Sequence, residues 1–105
     1  MKALLFHTLW GWQGSLEAAS RYAKQAGFDG LEANLEHPCL KGRHTQDVQT
    51  LLSQQSQQLI IEITTGGGYT PRLELSPKQH LAELETKLEQ ACELRPLRIN
   101  LITGS

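Results

Sequence analysis

The sequence lacks the features that would assign it to a membrane or secreted class. Its longest apolar segment, from Leu59 to Ile63, is interrupted by Glu62 and falls far short of the ~20 residues that cross a bilayer. The apolar start of the chain ends at His7, and no small-residue cleavage site follows it, so no signal peptide is predicted. We therefore expect a soluble, cytoplasmic protein with no membrane partner.

Cysteine and excess charge are also scarce. The two cysteines, Cys39 and Cys92, lie far apart in the sequence and suggest no disulfide framework. Ten basic and eleven acidic residues leave a formal net charge of −1, which argues against nucleic-acid binding through bulk positive charge. Hydrophobic residues make up 39% of the 105 residues, so the chain is long enough for one small domain with a buried core.

Four short apolar segments alternate with three helical patterns. Strands, numbered β1 to β4 in chain order, are predicted at Lys2 to Thr8, Gly30 to Leu35, Leu59 to Thr64 and Leu97 to Thr103. Helices, numbered α1 to α3, are predicted from Ser15 to Gly27, from Thr45 into the polar tract 53–58, and from Ser76 to near Pro96. Each pair of strands is separated by enough chain for a returning helix, which is typical of a parallel sheet.

Polar residues occupy one face of the predicted strands. They recur at alternate positions, which are Glu32, Asn34, Glu36, Glu62, Thr64, Arg98 and Asn100. The positions between them are apolar, whereas strands of a doubly wound sheet are apolar on both faces. This pattern favours a barrel in which helices cover the apolar face and polar side chains line the interior. Inside it, we expect Glu32 or Glu62 to form a structural pair with Arg98.

Two segments resemble a known family. Residues 26–32, with the sequence AGFDGLE, and residues 99–105, with the sequence INLITGS, resemble the xylose isomerase-like TIM-barrel superfamily of sugar phosphate isomerases and epimerases. The resemblance covers the whole chain through the order β1-α1-β2-α2-β3-α3-β4. A complete barrel has eight such units and typically ~250 residues. The resemblance therefore implies a single partial domain, residues 1–105, that forms the amino-terminal half of a (β/α)8 barrel.

In such barrels the substrate binds at the carboxyl ends of the strands, so the loops 8–14, 36–44 and 65–75 form the candidate site. We predict that His7 points toward the barrel mouth if it shares the inward parity of Leu5. Trp10 and Trp12 are predicted to pack against the C–H faces of a sugar ring, although either indole could serve as packing alone. Substrate contacts are also predicted for two residues at the end of β2, Glu36 and His37.

Other features of these loops receive structural interpretations. The loop 36–44 contains potential metal ligands, but their spacing fits no zinc motif, and no metal ligand is assigned. Its cations Lys41, Arg43 and His44 are interpreted as solvated residues rather than as a phosphate site. The three glycines at 66–68 lack the Gly-Lys-Ser/Thr that completes a P-loop, and they are interpreted as part of a flexible lid.

The resemblance implies a metal-dependent isomerase or epimerase that acts on a sugar or sugar phosphate. In that family a divalent metal stabilises an enediolate while two carboxylates move protons. The ligands and carboxylates come from later strands, so no catalytic residue is assigned here, and the divalent metal is expected only for the full-length family. We expect the isolated chain to be catalytically inactive.

Three alternatives remain open. An AP endonuclease of the same superfamily is disfavoured because the sequence has no basic stripe for DNA. A shortened, non-enzymatic protein would associate with a second copy or another partner through the open edges of β1 and β4. A complete small α/β binding module is the third, and the polar inner face argues against it.

Overall fold

The computed structural model describes residues 3–65 and 74–102 as an α/β fold with a four-stranded, all-parallel sheet. The strands pair in the order β1-β2-β3-β4, so every strand lies beside its neighbour in sequence. The elements are β1 (Phe6–Thr8), α1 (Leu16–Gln25), β2 (Gly30–Asn34), α2 (Thr45–Gln54), β3 (Gln58–Thr64), α3 (Pro77–Glu93) and β4 (Arg98–Ile102). This order confirms the predicted fold class and is consistent with half of a β/α barrel.

The predicted helix starts are confirmed in detail at two positions. The Ser15 hydroxyl accepts a 3.0 Å hydrogen bond from the backbone N–H of Ala18 and caps α1. At α3, the Ser76 hydroxyl accepts from the Gln79 N–H, while the Gln79 side chain accepts from the Ser76 N–H, which completes a capping box. Gly27 follows α1 with φ of 85°, the left-handed conformation expected beyond a helix end.

Strand β1 is shorter than the sequence predicts. Only Phe6 to Thr8 pair with β2, because one residue earlier the Asp29 side chain, rather than a backbone carbonyl, accepts the hydrogen bond from the chain before β1. The Asp29 carboxylate accepts a 2.8 Å hydrogen bond from the Leu5 N–H, and the Leu5 carbonyl accepts from the Asp29 N–H. A carboxylate in the ladder ends strand pairing, so the residues before Phe6 lie at the sheet edge.

The apolar face of the sheet packs against the helices and forms the core. Leu31, Ala33, Ile61 and Ile63 are 0–2% exposed on this face, and Ala19 and Ala23 of α1 are fully buried in the same cluster. The predicted polar positions lie on the opposite face, where Glu32 is in register with Ile60 and Arg98. Ile60 is the apolar member of this row. The one-sided polarity inferred from the sequence is therefore present in the sheet.

The polar face is concave. Side chains from all four strands, among them Phe6, Glu32, Ile60 and Arg98, line one cavity of about 490 Å³. The Asn100 side chain also donates a 3.3 Å hydrogen bond to the Glu32 carboxylate across β3. Such contacts between alternate strands are the basis of the side-chain layers inside β/α barrels.

The same hydrogen bond joins two residues that are not in register. The residue of β4 in register with Glu32 is Arg98, whereas the residue that reaches Glu32 is Asn100, two residues further along. The long side chain of Glu32 thus meets a polar side chain of β4 diagonally across β3. The parallel strands in sequential order are consistent with one half of a β/α barrel.

The chain packs closely around Gly30 at the start of β2, and a substitution at this position tests that packing. A Cβ atom there would overlap the backbone carbonyl of Gln58 and lie 2.8 Å from the Phe6 ring. We expect Gly30→Ala to lower the free energy of unfolding by roughly 1–3 kcal/mol or more, the usual cost of overpacking. Urea denaturation followed by circular dichroism measures this change.

The matched control is Gly27→Asn, because that residue also lacks a Cβ but has no atom within 4 Å of the position it would occupy. Asparagine tolerates the left-handed conformation, so this variant should remain close to the wild type in stability. Equal destabilisation by the two substitutions would contradict the packing argument.

Candidate functional site at the carboxyl ends of the strands

A small pocket opens where β1, β2 and β3 end. Its volume is about 60 Å³, and its lining combines an indole, an imidazole, an amide and a carboxylate. The lining residues are Thr8, Trp10, Gly11, Ala33, Asn34, His37 and Glu62. Two of the predicted site residues, Trp10 and His37, are brought together here.

The β1–α1 loop presents Trp10 to solvent. Leu9, which is fully buried, donates its backbone N–H to the Glu32 carbonyl at 2.8 Å and anchors the loop to β2. The Thr8 hydroxyl accepts from the Trp10 N–H, and Gly11 turns the chain with φ of 79°. The Trp10 side chain is left 74% exposed and presents a large apolar surface at the pocket rim.

Hydrogen bonds at the end of β2 orient the other two groups. The Asn34 side-chain oxygen accepts from the Glu36 N–H at 2.9 Å, while its amide nitrogen donates to the Thr64 hydroxyl at 3.4 Å. The Nδ1 atom of His37 accepts from the Cys39 N–H at 3.0 Å. Because Nδ1 is an acceptor, the neutral imidazole carries its proton on Nε2 and can donate a hydrogen bond from that atom.

Glu32 and Glu62 form a carboxyl pair on the concave face. Burial, the negative charge of Glu62 and the hydrogen bond between the two carboxyl groups raise the pKa of Glu32, and the hydrogen bond from Asn100 works in the opposite direction. The pairing of Glu32 with Arg98 expected from the sequence is not formed in the described ranges. Glu32 instead interacts with Glu62 and Asn100.

Lys87 of α3 reaches the same end of the sheet from the helix layer. Its Nζ atom lies 2.7 Å from the Thr64 carbonyl oxygen, 3.1 Å from Glu36 and 2.9 Å from Glu83, and the residue is 7% exposed. Burial alone would lower the pKa of this amine, but the hydrogen bonds to Glu83 and Glu36 and their charges raise it above its usual value. Lys87 therefore stays charged and ties α3 to the ends of β2 and β3.

The structure places three predicted site residues outside the pocket. His7 is in register with the core residue Leu31, so it lies on the helix-facing side of the sheet and lacks the inward parity on which its predicted role depended. Its ring packs against Trp12, Tyr22 and Phe28, with centroids 5.0–5.7 Å away. Its Nε2 atom is buried and has no hydrogen-bond partner among residues 3–65 and 74–102.

Trp12 and Glu36 have structural contacts. The Trp12 indole N–H donates to the Ser15 carbonyl at 3.1 Å, and its ring belongs to the aromatic cluster around His7. The Glu36 side chain, although 51% exposed, pairs with Lys87 and does not line the pocket. The substrate contacts predicted for these two residues remain predictions.

Two side chains hold the loop 36–44 in place, and one of them, Arg43, is paired rather than simply solvated as the sequence interpretation had it. Arg43 donates two hydrogen bonds of 2.9 and 2.6 Å to the Glu17 carboxylate, and the hydrogen bonds from Arg43 lower the pKa of Glu17 to about 2. Cys39 donates from Sγ to the Gly14 carbonyl at 3.1 Å, and burial raises the pKa of its thiol. A buried, protonated thiol is neither a ready nucleophile nor a metal ligand.

Within the described ranges, no three His, Cys, Asp or Glu side chains are grouped closely enough to hold a metal ion. The divalent metal, whose ligands the resemblance assigns to later strands, remains a prediction. The glycines at 66–68, interpreted as a lid, lie outside the described residues.

None of the described helices combines the length and apolar character needed to cross a membrane.

Sequence reasoning missed Lys87, Asn34 and Glu62 as members of the site. The burial of Lys87 could have been predicted from the sequence, because this residue falls on the inward stripe of α3 between Leu84 and Ala91. A lysine at such a position must find buried partners. The pocket roles of Asn34 and Glu62 depend on how the loops fold over the strand ends.

Comparisons with protein-family models, curated proteins and solved structures found no match to this chain. The resemblance to xylose isomerase-like barrels thus rests on the sequence segments described above.

The carboxyl pair predicts a specific pH dependence. Because the pKa of Glu32 is raised in the folded state, its carboxylate lowers stability above that pKa, and this cost disappears below the ordinary pKa of ~4.3. We expect Glu32→Gln to raise the free energy of unfolding at pH 8 by about 1 kcal/mol, the scale of one hydrogen bond. The gain should vanish near pH 4, as measured by urea denaturation.

The control for this measurement is Glu89→Gln, which alters an exposed glutamate of α3. It should change stability by less than about 0.5 kcal/mol at either pH. A Glu32→Gln variant that is less stable than the wild type at both pH values would contradict the proposed carboxyl repulsion.

Removal of the buried amine should also be costly. Lys87→Met keeps the length of the side chain but removes the hydrogen bond to the Thr64 carbonyl and the positive charge beside Glu36 and Glu83. We expect a loss of roughly 1–3 kcal/mol in the free energy of unfolding, since the two glutamates remain partly hydrated. Lys78→Met, at an exposed position of the same helix, is the matched control and should be nearly neutral.

Proposed function

We propose that this chain forms the amino-terminal, substrate-binding side of a β/α-barrel enzyme that isomerises or epimerises a sugar or sugar phosphate with a divalent metal. The observation that carries the proposal is the pocket at the strand ends, where an exposed indole stands beside an amide, an imidazole and a carboxylate. The resemblance of residues 26–32 and 99–105 to sugar isomerases and epimerases supplies the reaction class.

The chemistry of the pocket suits a polyhydroxylated ligand. The face of the Trp10 indole can pack against the C–H groups of a sugar, because aromatic rings combine a large apolar area with a defined orientation. Asn34, His37 and Glu62 together offer hydrogen-bond donors and acceptors, which hydroxyl groups require at once. Groups of these kinds around a small concavity favour a sugar over an apolar ligand.

The size of the pocket limits the role of this chain. Sites that bind whole small molecules usually measure about 300–1,000 Å³, whereas this pocket measures about 60 Å³. It therefore accommodates one hydroxyl-bearing part of a sugar, and the rest of the ligand would contact further strands of a closed barrel. The resemblance assigns the metal ligands and the catalytic carboxylates to those further strands.

Ligand binding by Trp10 tests this proposal. The chain has two tryptophans, so Trp12→Phe leaves Trp10 as the single indole reporter. We expect its fluorescence to change saturably with five- and six-carbon ketoses, aldoses or their phosphate esters, with Kd near the millimolar range, equivalent to about −4 kcal/mol. In a wild-type background, calorimetric binding should be lost on Asn34→Ala and kept on Gln46→Ala, an exposed control on α2.

The isolated chain should not catalyse the reaction. Proton exchange from the carbon beside the carbonyl, followed by NMR in deuterated water with Mg²⁺ or Mn²⁺, should stay at the uncatalysed rate. Metal-dependent turnover by the 105-residue chain, or the absence of saturable binding across the whole sugar panel, would contradict the proposal.

A further inference from the structure

We propose that Lys87 is a positioning residue for the pocket of about 60 Å³ at the strand ends, and that it fixes the side-chain amide of Asn34 before a ligand arrives. Asn34 lines this pocket, whereas Lys87 is not among the described residues that line it. Two residues connect them, Glu36 just after β2 and Thr64 at the end of β3. The hold of Lys87 on Asn34 concerns these contacts alone, and its effect on sugar binding rests on the proposed function.

The amide of Asn34 has a contact at each of its polar atoms. Its Oδ1 atom accepts from the Glu36 N–H at 2.9 Å, and its Nδ2 atom donates to the Thr64 hydroxyl at 3.4 Å. A flipped amide would bring its NH₂ group against the Glu36 N–H, so that two donors would face each other. Because the contact at Nδ2 is long for a hydrogen bond, the orientation of the amide depends on how firmly Glu36 and Thr64 are themselves held.

Lys87 holds both of these residues from the helix layer. Its Nζ atom lies 2.7 Å from the Thr64 carbonyl oxygen and 3.1 Å from the Glu36 carboxylate. Asn34 contacts the remaining polar groups of the same two residues, which are the Thr64 hydroxyl and the Glu36 N–H. A shift of either residue therefore moves a partner of the Asn34 amide.

The amine of Lys87 is fully used by these structural contacts. An ammonium group has three N–H donors, and the three acceptors around Nζ are Thr64, Glu36 and Glu83, the last at 2.9 Å. The residue is also only 7% exposed. Lys87 is thus suited to act on a ligand through Glu36 and Thr64 and not by direct contact.

A fixed amide favours binding in two ways. A side chain that is ordered before binding spares the entropy that a mobile side chain loses when a ligand immobilises it. In the observed orientation, one N–H of Nδ2 is used by Thr64, and by count the other is left to donate to a ligand oxygen. A freely rotating amide would present either of its ends to the pocket and would select less well among ligands.

NMR of the sugar-free chain tests the hold on Asn34. The sequence contains two asparagines, and the amide of the second, Asn100, donates to Glu32 on the concave face, which makes it an internal control. In Lys87→Met, the order parameter of the Asn34 side-chain N–H groups should fall below about 0.6, while that of Asn100 stays unchanged. Unchanged order at Asn34, or an equal fall at both asparagines, would overturn the proposal.

The two glutamates beside Lys87 provide a matched pair of variants. Glu36→Gln and Glu83→Gln each remove one carboxylate that lies 3.1 or 2.9 Å from Nζ, and both side chains are partly exposed, so both variants should fold. Only Glu36 also contacts Asn34, so only Glu36→Gln should lower the order of that amide, although urea denaturation should give similar stabilities. Equal loss of order in both variants would indicate general loosening and would overturn the proposal.

Sugar binding tests the consequence for the pocket. In the Trp12→Phe background, Lys87→Met should raise the Kd by about three- to tenfold for the sugar of the panel that this background binds most tightly. Ser20→Ala removes a buried hydrogen bond to Gln57, away from the pocket, and should leave the Kd unchanged. Equal Kd values with and without Lys87 would overturn its positioning role. Absence of sugar binding by the background itself would contradict the proposed function, and the NMR measurement would still decide the hold on Asn34.

Discussion

The one-sided polarity of the sheet is the constraint on which the rest of the molecule depends. Helices α1, α2 and α3 lie on the apolar face because alternate residues such as Leu31 and Ile61 cannot remain in water. Glu32, Glu62 and Asn100 are thereby directed to the other face, where they meet across the strands. Curvature lets these polar side chains hydrogen-bond to one another, so the same alternation that builds the core also shapes the concave face.

Much of the fold follows from local signals in the sequence. The capping residues Ser15 and Ser76 mark helix starts, and polar alternation marks three of the four strands, so the order of elements and the parallel sheet are confirmed. The early end of β1 pairing depends on the Asp29 side chain, which replaces a backbone partner from a position distant in sequence. No periodicity in the sequence signals an interaction of that kind.

The candidate site is less accessible to sequence reasoning for two physical reasons. The segment Leu4-Leu5-Phe6 is apolar on both faces, so alternation does not reveal which way His7 points, and only the pairing with Leu31 settles it. Trp10 and Trp12 are chemically equivalent in the sequence, yet the turn at Gly11 leaves one at the pocket rim and the other inside an aromatic cluster. Both outcomes are determined by tertiary contacts.

The sequential order of the strands also has a kinetic consequence. Each strand in the described sheet pairs with the strand nearest to it along the chain, separated by a single helix. Short sequence separations between contacting residues reduce the loop entropy lost before contacts form, and they favour rapid folding. Folding of this sheet can therefore propagate from one β-α unit to the next and does not require the two edge strands to meet first.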